Sequence, residues 1–303
     1  MGSKGLIFVI TGAEGQVGTA LANYLTELGI EFVALTRRDL DITSQQQVSE
    51  VLRRVQPAAV INCAAYNQVG RAESEPELAY AINRDGPQYL ASVCADIGSI
   101  LAHYSTDYVF NGEEKAAYEE DVSASPVNAY GKTKLAGEKA IQSSGCDYLI
   151  FRTAWVYASR KHNFFLTILK LAMEKETLKI VDDQIGAPTS ARLIAETTLI
   201  CLLKSVREKI SGVFTSDLYH LTSSGYKSWY GFAEKIINVA RLQLNIDLKV
   251  KEVIAIPTSE YQTPAKRPLN SRLAVHKLEH KFNITMPDWE KSMKLCINEI
   301  QKS

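Results

Sequence analysis

Leu6–Thr11 is a continuous apolar run closed by Gly12, which predicts a strand buried on both faces of a parallel sheet. Val17, Leu21, Leu25 and Leu28 then recur at helical spacing, and Gly29 supplies the stop. Glu31–Leu35 reads as a second strand. The alternation continues with a helix at Ser44–Val55 and a strand at Ala58–Asn62, a helix at Pro76–Ile97 and a strand at Ser99–Ser105, then a helix at Asn128–Ser143 and a strand at Tyr148–Arg152. Strand and helix alternating at this interval predict right-handed βαβ units. After Trp155 the rhythm loosens. Helices at Asn163–Lys175, Ser190–Val206 and Ser228–Arg241 are separated by longer connections, with strand-like runs at Leu178–Val181 and Leu218–Thr222.

The expected fold is α/β: a doubly wound, mostly parallel Rossmann sheet with a smaller C-terminal α/β domain. The dinucleotide-binding part spans 1–155, with later returns to the sheet near 178–206, and 156–303 mainly binds substrate. Composition changes this picture little. The 303 residues, 46% of them hydrophobic, suffice for a sizeable core without disulfides or metal. Lysine plus arginine equal aspartate plus glutamate at 34 each, so no overall positive field collects nucleic acid or an anionic membrane. The five cysteines are scattered and contain no C-x-x-C pair, which argues for a reducing compartment and against a zinc site. No apolar run approaches the roughly 20 residues of a spanning helix, and Met1-Gly2-Ser3-Lys4 leads into a strand with no signal-like segment. A cytoplasmic protein, monomeric or homodimeric, is expected.

Candidate chemistry begins in the loop Thr11-Gly12-Ala13-Glu14-Gly15-Gln16-Val17-Gly18. Between a first strand and a first helix, such glycines let the backbone turn and approach a pyrophosphate, which then sits on the free N–H groups of the helix start. Where dinucleotide folds often carry an acidic residue to hold the ribose, the second strand ends in Leu35-Thr36-Arg37-Arg38. Arg37 or Arg38 suits a 2′-phosphate, so NADPH is favoured over NADH, which stays possible. Asp39 or Asp41 remains available to the adenosine end.

Tyr130-Gly131-Lys132-Thr133-Lys134 contains Y-x-x-x-K near a helix start, so phenol and ammonium share one face. A cation beside a phenol is expected to pull its pKa down by roughly 1–3 units, towards useful acid–base chemistry. Thr106, after the strand Ser99–Ser105, emerges at the carboxyl edge of the sheet, where α/β folds bind ligands. Its hydroxyl is placed to hydrogen-bond a substrate oxygen while Tyr130 delivers a proton.

With these three groups in place the chain resembles the extended short-chain dehydrogenase/reductase family. Ser105-Thr106-Asp107-Tyr108-Val109-Phe110-Asn111-Gly112, the Tyr130–Ala140 segment, Phe151–Tyr157, Asp183-Gln184-Ile185-Gly186-Ala187-Pro188-Thr189 and Arg267–Leu273 narrow the likeness to the dTDP-4-dehydrorhamnose reductases, nearly end to end. The resemblance implies reduction of the C4 keto group of dTDP-4-dehydro-β-L-rhamnose to dTDP-L-rhamnose with NAD(P)H. It makes Tyr130 the acid, Lys134 its partner and ribose holder, Thr106 the carbonyl hydrogen-bond donor and Asp107 a support for substrate orientation. Gly12, Gly15, Gln16, Val17, Gly18, Arg37, Asp41, Ile42, Cys63, Ala64, Ala65 and Tyr66 would meet the cofactor. Asn83 would be either a buried structural amide or part of a proton relay on the cofactor side. Trp155, Gln184, Arg267 and Asn270 would meet the dTDP-sugar.

One departure stands out: relatives commonly read A-Y-T-x-V-D-x-A-E where this chain has Ala65-Tyr66-Asn67-Gln68-Val69-Gly70-Arg71-Ala72-Glu73. It leaves open another dTDP-4-keto sugar, such as a streptose-like one. The resemblance also admits a non-catalytic regulator like the β subunit of methionine adenosyltransferase. Some relatives dimerise through a metal on a first-helix glutamate; Thr19-Ala20 stand there here, so no metal is expected.

Overall fold

The computed structural model describes residues 6–243 and 246–301. Its first half runs β1 Phe8–Thr11, α1 Gln16–Glu27, β2 Phe32–Leu35, α2 Gln45–Val55, β3 Ala59–Asn62, α3 Pro76–Tyr80, α4 Gly86–Ile97, β4 Ile100–Thr106, α5 Ala129–Gln142 and β5 Asp147–Thr153. The second half runs β6 Val156–Tyr157, α6 Phe164–Glu174, β7 Thr177–Val181, β8 Ile185–Gly186, β9 Thr189–Ser190, α7 Ala191–Ile210, β10 Asp217–His220, β11 Lys227–Ser228, α8 Trp229–Gln243, β12 Glu252–Ile256, β13 Asn270–Ser271, α9 His276–Phe282 and α10 Trp289–Gln301.

Six strands form one parallel sheet in the order β10-β5-β4-β3-β1-β2. Because β1 lies between β2 and β3, successive crossovers leave it in opposite directions, and the loops after β1 and β3 diverge to open a crevice at their carboxyl ends. Apolar side chains fill both faces of the sheet. One face packs Phe8, Ile10, Ile61 and Phe151 against α1 and α7, and the other packs Val9, Val60, Leu101 and Ile150 against α2 and α4. Several predicted helix starts are N-caps: Ser44, Asn128, Asn163 and Ser190 each accept a hydrogen bond from the backbone N–H three residues on. That satisfies an N–H with no partner inside the helix.

Two expectations are corrected. The single helix over 76–97 is interrupted, because Ala81–Asp85 wind as a π-helical turn between α3 and α4. Hydrophobic spacing cannot show this; the wider turn carries Asn83 into contact with a neighbouring loop. The second correction concerns the return to the sheet. Residues 177–181 pair with β12 in a separate two-stranded sheet, whereas α7 packs on the main sheet and β10 extends it beside β5. The later half is therefore interleaved: 191–221 and 276–286 supply apolar residues to the main-sheet core, and α6, α8 and α10 build a second core around Phe165, Phe232 and Trp289.

Candidate active site

The glycine loop is shaped by a close approach. Gly12 sits at φ +62°, and a Cβ there would lie 2.6 Å from the Ala64 nitrogen, so the ends of β1 and β3 meet with no room for a side chain. α1 starts at Gly15 with no side-chain cap and no acidic residue in its first turn. Its first N–H groups and positive dipole end are therefore available to an anion, and Gly15, Gln16, Val17, Cys63 and Ala65 face the crevice. This backbone-lined cradle fits a dinucleotide pyrophosphate. Arg37, Arg38 and Asp39 are exposed beyond β2, with Asp39 accepting hydrogen bonds from Thr36, while half-buried Asp41 accepts from Thr43. Those local hydrogen bonds hold both carboxyls below their usual pKa range, and the two arginine side chains face solvent beside them. Ile42 is a core residue, packed with Leu40 and Val48.

Beyond the cradle lies a cleft of about 280 Å³ where Thr106, Asp107, Tyr130, Lys134 and Trp155 converge. Thr106 ends β4 and caps the turn that follows by accepting from the Tyr108 N–H at 3.2 Å; its hydroxyl donates to Asp107 Oδ1 at 3.0 Å. Asp107 is buried, and desolvation lifts its carboxyl to about 6 against the Ser271 and Thr106 hydroxyls, which oppose the rise. Tyr130 and Lys134 stand one turn apart on α5. Gly131 lets that helix close on β4's exit loop, since a Cβ there would lie 2.1 Å from the Tyr108 carbonyl oxygen.

Lys134 does not perform the expected tuning here. Its Nζ donates to the Tyr104 carbonyl at 2.5 Å and lies 3.4 Å from His103 Nε2, and burial lowers its pKa to about 8. The Tyr130 phenol is pushed up, not down, because desolvation outweighs the nearby Thr106 hydroxyl. Tyr130 is therefore held protonated, the state a proton donor needs. Its hydroxyl also points to Asn67 Oδ1 at 3.5 Å, so the divergent loop touches the acid itself.

The other sequence candidates divide clearly. Trp155, at φ +50°, walls the cleft with its ring stacked 3.5 Å from Trp229. Gln184 is buried outside the cleft, accepting from Trp229 Nε1 and donating to Thr258, so it braces that stack. Asn270 is likewise spent on the backbone carbonyls of Glu114 and Ala116 and on Arg272. Asn83 clamps both backbone groups of Tyr66 (2.8 and 3.0 Å) and donates to Thr133 (3.0 Å), and the Tyr66 hydroxyl bonds Glu75. These are the contacts of a structural amide. Arg267 lies with Asn67, Val69 and Gly70 on an outer pocket of about 570 Å³, which adjoins the cleft through Asn67 and Val69. Its Nε is buried without a hydrogen-bond partner, and the guanidinium also hydrogen-bonds the Tyr108 hydroxyl.

Sequence reading missed the shell beneath the cleft. Glu138, a further turn along the Tyr130–Lys134 face, takes a bidentate pair from Arg152 (2.9 and 2.7 Å) and a hydrogen bond from Ser105, all buried. The signal was there: i, i+4, i+8 spacing puts Glu138 on the same stripe. His103, a polar residue following the apolar run Ile100–Ala102 of β4, carried a similar warning.

A parallel doubly wound sheet, a glycine cradle at its switch point and a converging Thr–Tyr–Lys group define an extended short-chain dehydrogenase/reductase. Comparison with known proteins is more specific. Residues 7–302 match the family model described as RmlD substrate binding domain. The chain is 43% identical over 293 residues to the dTDP-4-dehydrorhamnose reductase of Burkholderia thailandensis, covering 96% of this chain and 98% of that one. Among solved structures it is similar to a dTDP-4-dehydrorhamnose reductase from Clostridium acetobutylicum (36% identity, TM-score 0.88, covering 98% and 100% of the two chains). It is also similar to the Bacillus anthracis enzyme in complex with NADP (33% identity, TM-score 0.87, covering 97% and 99%). The chain belongs to the dTDP-4-dehydrorhamnose reductase family. Among the described residues, no helix is long and apolar enough to cross a membrane.

Proposed function

We propose that this protein reduces the C4 keto group of dTDP-4-dehydro-β-L-rhamnose to dTDP-L-rhamnose, the last step of dTDP-L-rhamnose formation, with NADPH as the preferred reductant. The observation that carries the reading is the convergence of Thr106, protonated Tyr130 and Lys134 in one cleft that opens onto the Arg267 pocket. The Gly12–Gly18 backbone and the start of α1 would hold the dinucleotide, with Arg37 the residue for a 2′-phosphate, and the cofactor would supply the hydride. Tyr130 and Thr106 hydrogen-bond the keto oxygen, and Tyr130 protonates that oxygen as negative charge develops on it. Before substrate enters, Asp107 accepts the single Thr106 hydroxyl proton at 3.0 Å, and on binding that proton turns from Asp107 to the keto oxygen. Trp155 offers a flat face to the sugar, and Arg267 pairs with the nucleotide diphosphate. We place the enzyme in the cytoplasm, acting as a monomer or homodimer.

Asn67 and Gly70 favour a second reading within the same chemistry, because Asn67 bonds the acid and both residues line the outer pocket. In that reading the substrate is another dTDP-4-keto sugar. The experiment supplies dTDP-4-dehydrorhamnose with NADPH or NADH, follows cofactor oxidation and identifies the product. Oxidation with dTDP-L-rhamnose as product supports the first reading. No oxidation with that sugar, but oxidation with a related dTDP-4-keto sugar, supports the second.

A further inference from the structure

Thr11 and Asn62 end β1 and β3, and His103, midway along β4, stands beside Asn62 in register; all three are almost wholly buried. Thr11 Oγ1 donates to Asn62 Oδ1 at 2.7 Å, Asn62 Nδ2 lies 3.0 Å from His103 Nδ1, and His103 Nε2 lies 3.4 Å from Lys134 Nζ. The direction of this row follows from a group that has no choice. The Ala64 backbone N–H can only donate, and it meets Asn62 Oδ1 at 3.2 Å. The NH₂ end of the amide therefore faces His103, and Nδ1 must accept. Burial holds the imidazole pKa well below its usual value, and any charge on Lys134 would only lower it further, so the ring is neutral and carries one proton. That proton sits on Nε2 and points at Lys134. An ammonium there opposes donor to donor, whereas an amine accepts from His103 and still donates to the Tyr104 carbonyl.

We propose that His103, its tautomer fixed by Asn62, is a positioning residue that presents an N–H to Lys134 and favours the amine over the ammonium. The groups facing Lys134 from elsewhere are few. Glu138, one turn on, favours the charged form, but its carboxylate is already shared by Arg152 and Ser105. Tyr130, Asp107 and Cys63 line the same cleft, and burial favours the protonated form of each. Lys134 is thereby kept as a group that exchanges its proton close to neutral pH rather than as a permanent cation.

Two measurements test this. In the full chain saturated with NADP, ¹⁵N spectra of histidine-labelled protein read the ring proton of His103 directly, assigned through its contacts to Asn62. Protonation at Nε2 is expected, and protonation at Nδ1 overturns the proposal. The second measurement is the pH profile of kcat for the wild type and His103→Gln, whose side-chain carbonyl can accept from an ammonium. The limb belonging to Lys134 should move to higher pH by about one unit, a tenfold change in proton affinity. An unmoved limb in a folded variant overturns the proposal. The kinetic arm rests on the reductase reading, but the spectra do not. Absence of turnover in the wild type therefore counts against that reading and leaves the tautomer to decide this one.

Discussion

The inner cleft and the outer pocket adjoin through Asn67 and Val69 but are built on different terms. In the inner cleft Thr106, Asp107 and Lys134 are buried at the end of β4 and on α5, and from below Glu138 ties α5 to β4 through Ser105 and to β5 through Arg152. In the outer pocket the loop 67–74 is largely exposed, and Arg71 and Glu75 pair with each other at its edge. Reaction geometry is thus fixed by packed secondary structure, and contact with the distal part of the substrate is left to a loop. A loop tolerates substitution where a packed helix does not, which suits the Asn67 and Gly70 departures.

The difference predicts effects of different kind and size. Glu138→Gln should be the most damaging, because it leaves the Arg152 guanidinium buried without its charge partner. A loss of about 3–5 kcal/mol in urea unfolding is expected, and a loss under about 1 kcal/mol would show that the inner shell is not locked by this pair. Asp107 gives a smaller effect with a pH signature. Its carboxyl titrates near 6 when folded and at 3.8 in its ordinary state. The burial penalty is therefore absent below the lower value, grows as pH rises through the window and is complete above the upper one. Asp107→Asn should match the wild type in stability at acid pH and exceed it by up to about 3 kcal/mol at neutral pH; equal stability at both ends would contradict this. Arg267→Met should touch neither stability nor the chemical step. It should raise KM for the dTDP-sugar roughly tenfold or more with kcat nearly unchanged. A fall in kcat of the same size would place Arg267 inside the reaction geometry.

Most of the fold was legible in the sequence, because strands buried on both faces and helices with polar caps leave strong local marks. Ser44, Asn128, Asn163 and Ser190 announced helix starts, and the structure uses each as a cap. The π-turn at Ala81–Asp85 was not legible, since what places it is a contact between Asn83 and Tyr66 seventeen residues away. The pairing of 177–181 with β12 was hidden for a related reason: an edge strand reads alike whichever sheet it joins. Site chemistry followed the same division. Tyr130, Lys134 and Thr106 were readable from spacing and strand ends, and they converge. Asn270 and Gln184 sit in readable motifs, yet their side chains turn to backbone carbonyls, Arg272, Trp229 and Thr258. Motif membership marks a segment as important without saying which of its groups face the cleft. The direction of the Tyr130 pKa shift was misjudged because spacing shows that a lysine is near but not how deeply the phenol is buried.

The central claim is that Tyr130 is the proton donor of a carbonyl reduction, and Tyr130→Phe tests it most directly. Steady-state turnover of dTDP-4-dehydrorhamnose should be measured beside the affinity for NADPH in the same preparation. The account predicts near-normal NADPH binding and a kcat lowered by about a hundredfold or more, the scale of a lost general acid. Turnover at the wild-type rate would contradict it.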